Sequence, residues 1–410
     1  MQNIAGSPVE GRNFYGRTIE IDRISDTLLH DDVLLLGPRR IGKTSIARAV
    51  MGKVRDDGWR TVEINVASCT DEKGFLTKLD GAVTPELASI MLKAKGAVVD
   101  ALTALTSRIK SVKIPIPGAG ALGVEIGSSN SEEWTTVGNE VLGLIAEVEE
   151  RWLIYIDELP ILLFNIIRQD PSAGVARVRR FLDWFRNDVR ALPGAQRVRW
   201  LISGSVGLDT LVQQHGMADT INSLNHQTLE AFPEKVAVDM LMALGAEYDM
   251  DLTETNALCL TNAVLWLQPY YLQVAFNHLR ILRASNSATN IDALIAEAVN
   301  RMSRPGSDND FHHWEQRLSF QLSGGDAECA AFLLNESARD PLGERPEVIL
   351  AKLEEKMSDI NSSEARRMFV RLRDILLRDA YWWADESSGV KRYRFRLEPL
   401  RQWWLRRDTL

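Results

Sequence analysis

Cysteine is scarce in this chain, long apolar runs are missing, and basic residues do not dominate. The 410 residues hold three cysteines, Cys69, Cys259 and Cys329, far apart and without metal-ligand spacing. That excludes a disulfide scaffold and a zinc module, and predicts reduced core thiols in a cytoplasmic protein. Six histidines are scattered; the one adjacent pair, His312 and His313, reads as a hydrated helix start rather than a metal site. No stretch reaches about 18 uncharged apolar residues, so no membrane-spanning helix is expected. The opening MQNIAGSPVEGRNF has neither the basic start nor the apolar core of a secretory signal. Repeats and low-complexity tracts are also missing. A net charge of −8 excludes a wholly basic surface and still permits a local basic patch. With 45% hydrophobic and 25% charged residues, the chain has the make-up of a soluble protein of two or three domains.

The strongest feature present is residues 33–50, VLLLGPRRIGKTSIARAV. A short apolar run predicts a buried strand, and Ile46, Ala47, Ala49 and Val50 then recur at helical spacing. Between them, GPRRIGKT fits G-x-x-x-x-G-K-[ST], with Gly37, Gly42, Lys43 and Thr44 in the fixed places. Strand, glycine loop and helix in that order make a phosphate-binding loop. Backbone N–H groups of Gly37, Pro38 to Gly42 (Arg39, Arg40 and Ile41 between), Lys43, Thr44 and Ser45 are the expected phosphate cradle, proline's missing N–H aside. The helix start adds the positive end of its dipole. Lys43 is expected to reach the β- and γ-phosphates of ATP, and the Thr44 hydroxyl to take one Mg2+ position.

RWLIYIDE, residues 151–158, predicts a hydrophobic strand with Asp157 and Glu158 at its carboxyl end. Asp157 is expected to hold Mg2+ through its water shell, and Glu158 to orient or deprotonate the attacking water. VRWLISGS, residues 198–205, predicts another buried strand, with Ser203 or Ser205 placed to face the γ-phosphate. Three strands with polar residues at their carboxyl ends suit an open parallel sheet that binds its ligand there. Between the last two strands, Val175, Val178, Phe181, Leu182, Phe185 and Val189 predict one apolar helix face. Arg177, Arg179, Arg180, Arg186 and Arg190 surround it, either as solvated surface or with one acting as an arginine finger into a neighbouring subunit. Before the first strand, Ile19, Ile21, Ile24, Leu28 and Leu29 form a helical stripe. Phe14, Tyr15 and Arg17 ahead of it either lie against the adenine or close the core edge.

Residues 61–67 predict a second strand. Residues 70–150 exceed what a minimal nucleotide domain needs, with helical patterns at 73–81 and 85–109 and a Pro/Gly-bearing hairpin or adaptor loop at 112–129. From about Glu230 the strand signal stops, and helical stripes at 233–246, 253–267, 269–284 and 291–303 give a four-helix lid over residues 230–306. After a polar linker come helices near 311–322, 326–337, 346–357 and 364–379, then two strands around a Ser-Ser-Gly turn within 381–397, and a last helix. That order over residues 307–410 predicts a winged helix, with Trp382, Trp383, Trp403 and Trp404 in its core. Residues 364–410 carry twelve Lys or Arg against seven Asp or Glu. Arg366, Arg367, Arg371 and Arg373 share a helix, and alternation puts Arg392, Arg394 and Arg396 on one face of the wing beside Lys391. The patch reads as phosphate contact, as solvated surface, or as a face docking on the acidic remainder.

Together these pieces resemble the P-loop ATPases of the AAA+/STAND type, in their archaeal-ATPase-like branch. The carriers are FYGR, GPRRIGKTS, LIYIDELP, the run FLDWFRNDVRAL into VRWLISGSVGLDTL, INSLNHQTLEAF, LQPYYLQ and YRFRLEPLRQWW, spread over the whole chain. The resemblance implies an α/β core, residues 1–229, built on a P-loop NTPase parallel sheet with helices on both faces, then an all-α lid and a C-terminal winged-helix domain. It implies ATP and Mg2+ as ligands, self-association, and a switch between lid states reset by slow hydrolysis. Pro269, with Tyr270 beside it, is the lid residue that approaches the nucleotide; Gln268 stands where relatives with a GHP-type motif have histidine. Ser203 or Ser205 takes the sensor role. The output it implies is an assembly or a protein partner or effector, in prokaryotic defence or signalling. The rival is a DNA-loading ATPase gripping duplex with the winged helix, and a third reading has ATP as a static structural ligand.

Overall fold

The computed structural model describes residues 1–91, 133–204, 208–285, 290–306, 311–322, 324–357, 361–387 and 389–407. Val33–Leu36 forms β1, buried at Val33, Leu34 and Leu35 and half-buried at Leu36, with apolar residues at every position as expected of a strand covered on both faces. Arg60–Asn65 is β2, Trp152–Asp157 is β3 and Val198–Ser203 is β4. A fifth strand, β5 (Asn225–Thr228), completes a parallel sheet in the order β2-β3-β4-β1-β5. β5 was not foreseen. NHQT carries no apolar residue, and its exposure alternates at the sheet edge, where it pairs with β1 alone. Because all pairings are parallel, the carboxyl ends of β1, β3 and β4 lie along one edge of the sheet.

The helices follow the predicted stripes with three differences. Helix α1 (Thr18–Leu28) buries Ile24 and Leu28, whereas Ile19 is 81% exposed and Leu29 also faces solvent. Helix α3 (Glu72–Met91) runs through Pro85 without the expected break. The carbonyl that Pro85 leaves unbonded belongs to Gly81, four residues earlier on the exposed side, where water can bond it and no Cβ crowds the ring. The apolar face from Phe181 continues, but residues Trp184–Asp188 form a π-helical turn after the Gly174–Asp183 helix. That extra residue seats Phe185 edge-on to Trp200, 4.9 Å away, with Phe75, Phe181 and Trp184 around it. Val175, at the head of that face, is exposed. The hairpin or loop expected at residues 112–129 lies outside the described residues.

Two compact units divide the chain: Arg17–Leu229 carries the sheet, and Met1–Gly16 joins Glu230–Leu410. In the second unit one core is continuous from Phe232 to Trp404. Helices Glu234–Glu247, Glu254–Val264, Pro269–Ser285 and Ile291–Met302 are followed by four more and by the antiparallel pair β6 (Trp382–Asp385) and β7 (Arg392–Phe395). Glu344 bridges to Tyr393 as a third short strand, which is the element order of a winged helix. Trp382, Trp403 and Trp404 are buried there, but Trp383 is 42% exposed because β6 turns it to the outer face. Of the cysteines, Cys69 and Cys329 are buried and Cys259 is exposed, contrary to the expectation of three core thiols. Among the described residues no helix is long and apolar enough to cross a membrane.

Candidate nucleotide site

The loop between β1 and helix α2 (Lys43–Asp56) is bent by two glycines. Gly37 has φ +143°, and a Cβ there would stand 2.9 Å from the Leu229 carbonyl; Gly42 has φ +102° at the helix cap. Arg40 also takes a left-handed φ of 67° between them. The first N–H groups of α2 have no partner within the helix and point along its axis, the arrangement that holds anions. Lys43 is nearly buried, and its ammonium donates to the Gly37 and Pro38 carbonyls at 2.7 and 2.9 Å. The cation is held over the loop that a phosphate would enter.

The two motifs meet at Thr44 and Asp157. The Thr44 hydroxyl donates to Asp157 Oδ2 at 3.1 Å. Asp157, at the end of β3, is 8% exposed, and its Oδ1 accepts from Ser203 Oγ at 2.8 Å and from the Glu158 N–H at 3.1 Å. The register makes this possible: Ile156 lies beside Ile202, so Asp157 and Ser203 leave adjacent strands together. Ser203 is fully buried, and its hydroxyl is spent on Asp157 instead of facing outward as the sensor reading expected. Ser205 lies outside the described residues. Glu158 caps the next helix (Leu159–Gln169) with φ 63° and ψ 32°, a conformation that costs a non-glycine residue on the order of 1–3 kcal/mol. Glu158 itself is half-buried, and its backbone N–H is bonded to Asp157.

A hydroxyl and a carboxylate 3.1 Å apart at a helix start are hard oxygen donors, which suits Mg2+ with water completing its shell. Among the described residues no group of three His, Cys, Asp or Glu side chains offers a cage for another metal.

The other expected residues fall elsewhere. Arg17 is buried and ion-paired with Glu20 at 2.6 Å. Tyr15 packs on the core of the second unit, where burial and then the Asp239 charge push its phenol up. Pro269 opens the Pro269–Ser285 helix, and Gln268 before it is fully buried. The arginines after β3 each have a carboxylate in their own unit: Arg177 with Glu72, Arg180 with Glu133, Arg179 and Arg186 with Asp219, and Arg190 with Asp32. Sequence reasoning missed Tyr155, whose hydroxyl lies 2.9 Å from Ser203 Oγ. It was counted as one more apolar strand residue, although its parity with Asp157 places both on one face of β3.

Neither a protein-family model nor a curated protein sequence matches the chain. Solved structures do match in shape. A Walker-type ATPase of Pyrococcus abyssi superposes with a TM-score of 0.62 at 15% identity, covering 99% of this chain and 100% of that one. The Aeropyrum pernix ORC2 protein, in ADPNP–ADP complexes, gives 0.54 at 12% identity, covering 98% and 96%. The resemblance to P-loop ATPases of the AAA+ type therefore holds for the fold of the whole chain.

Proposed function

We propose that this chain is a Mg2+-ATP-binding and slowly hydrolysing regulatory ATPase. The observation that carries the reading is the Thr44–Asp157 hydrogen bond, which joins the loop motif to the acidic strand end at one point. That a fold neighbour was solved with ADPNP and ADP supports it. In this reading the loop from Gly37 to Ser45 and the N-terminus of α2 bind the triphosphate. Lys43 leaves the Gly37 and Pro38 carbonyls for the β- and γ-phosphates, exchanging two neutral acceptors for charged oxygens. Glu158 accepts the proton of the attacking water or orients it. Mg2+, when bound, neutralises charge on the transferring phosphoryl group. In this reading residues 230–306 act as a lid, and residues 307–410 as a winged helix whose exposure or assembly is the output.

The test is the mass of Glu158→Gln in solution by light scattering, with and without Mg2+-ATP and with and without duplex DNA. Growth with ATP alone supports a self-assembling switch; no response to ATP in mass or in affinity overturns the reading.

A second reading, a DNA-binding ATPase, is favoured by one observation. Arg366 and Arg367 are exposed on the Ser362–Arg378 helix and, with Arg371, line a shallow open groove. Duplex binding that weakens steeply with salt and is lost in Arg366→Ala/Arg367→Ala would support it.

A further inference from the structure

Tyr155 is a fully buried polar side chain beside the site that the ATPase chemistry above leaves without a role. Its neighbours define a direction. Ser203 Oγ donates to Asp157 Oδ1 at 2.8 Å, and a serine hydroxyl has one proton to give. In the 2.9 Å contact between Tyr155 and Ser203 the phenol is therefore the donor. The chain runs Tyr155 to Ser203 to Asp157, each hydroxyl accepting from the one before. From the other side, Thr44 gives its own proton to Asp157 Oδ2. Asp157 is thus fixed on both oxygens, and the bond on the Oδ1 side is aimed from Tyr155.

We infer that Tyr155 is a positioning residue for the Mg2+ site, acting through Ser203 to hold the Asp157 carboxylate in the orientation it shares with Thr44. The inference rests on the ATPase reading. Removing the phenol leaves the Ser203 oxygen buried with an unmet lone pair and frees it to turn away from Asp157. Loss of a partner that orients a metal ligand typically weakens the metal by about 10–100-fold.

The experiment uses the full chain as Tyr155→Phe, Ser203→Ala and the double variant. Mg2+ is titrated at fixed fluorescent ATP analogue, and Mn2+ binding is read in parallel from the free-ion magnetic resonance signal. Expected are a half-saturating Mg2+ concentration raised about tenfold in Tyr155→Phe, a matching loss for Mn2+, and an unchanged affinity for the analogue without metal. The double variant should be no worse than Ser203→Ala, since both act in one chain. A Mg2+ midpoint in Tyr155→Phe equal to wild type, or single effects that multiply, would overturn the inference. A melting temperature that falls while the midpoint stays in place would do the same, showing a packing role only. If wild type itself shows no Mg2+-dependent binding, the ATPase reading fails and the inference goes with it; if wild type responds and Tyr155→Phe matches it, only the inference fails.

Discussion

The carboxyl end of the parallel sheet and the outer face of the C-terminal hairpin both present charged residues in patterns that sequence singles out, and they use them in opposite ways. At the sheet end, Lys43 rests on two loop carbonyls and Thr44 on Asp157. These are bonds a phosphate or a cation can replace with stronger ones. On the hairpin, alternation does place Arg392, Arg394 and Arg396 on one face, yet each is committed internally. Arg392 donates to the Gly343 carbonyl, Arg394 to Asp385, and Arg396 to the Trp382 carbonyl while lying over the Trp266 ring. Half-buried there, the Arg396 guanidinium has its pKa lowered from the ordinary value by burial. Arg401 is likewise held by Glu398 and the Ala338 carbonyl. A local excess of basic residues therefore does not make a basic surface; what counts is which of them keep unspent donors.

Four tests sharpen that contrast. The largest effect belongs to Glu158→Gln, which keeps the shape and removes the base: single-turnover hydrolysis should fall about 10²–10⁴-fold with ATP affinity retained. Affinity lost in step with rate would mean that Glu158 binds and does not act on water. Next, Lys43→Ala removes a cation held for the triphosphate, and ATP affinity by calorimetry should drop about 10–100-fold. Wild-type affinity in that variant would break the assignment of the whole loop. Smaller is Arg394→Ala, which strands Asp385 and uncovers Trp383: about 1 kcal/mol of stability in a denaturant titration, with ATP binding untouched. The last compares Arg366→Ala/Arg367→Ala with Arg392→Ala. If duplex DNA binds at all, the first pair should lower the salt slope of binding by about 2 and the second change should leave it unmoved. The reverse result would mean that the hairpin's internal bonds open on contact with DNA.

Much of the fold could be read because its signals are local. β1, β3 and β4 are apolar runs, the lid helices carry 3.6-residue stripes, and the glycine loop is a spacing rule. β5 escaped because an edge strand with one neighbour needs no apolar residues, and Asn-His-Gln-Thr resembles a loop. At the site, Thr44 and Asp157 could be named from their motifs, since each belongs to a short spacing pattern. Tyr155 could not, because its role depends on a hydroxyl reaching across to the next strand. The turn of Ser203 toward Asp157 and the left-handed backbone of Glu158 likewise arise only when strands are side by side. Alternation also predicts which face a wing arginine takes, but not whether a carbonyl waits there.

The tight approach of Gly37 to Leu229 has one more consequence. Leu229 N–H also bonds the Leu36 carbonyl at 2.9 Å, so the root of the glycine loop meets a single residue at both Leu36 and Gly37. Leu229 is the last residue of the sheet-bearing unit, and the second unit resumes at Glu230. A bulkier residue at position 37 would therefore have to displace the Leu229 carbonyl, and with it the end of the sheet-bearing unit.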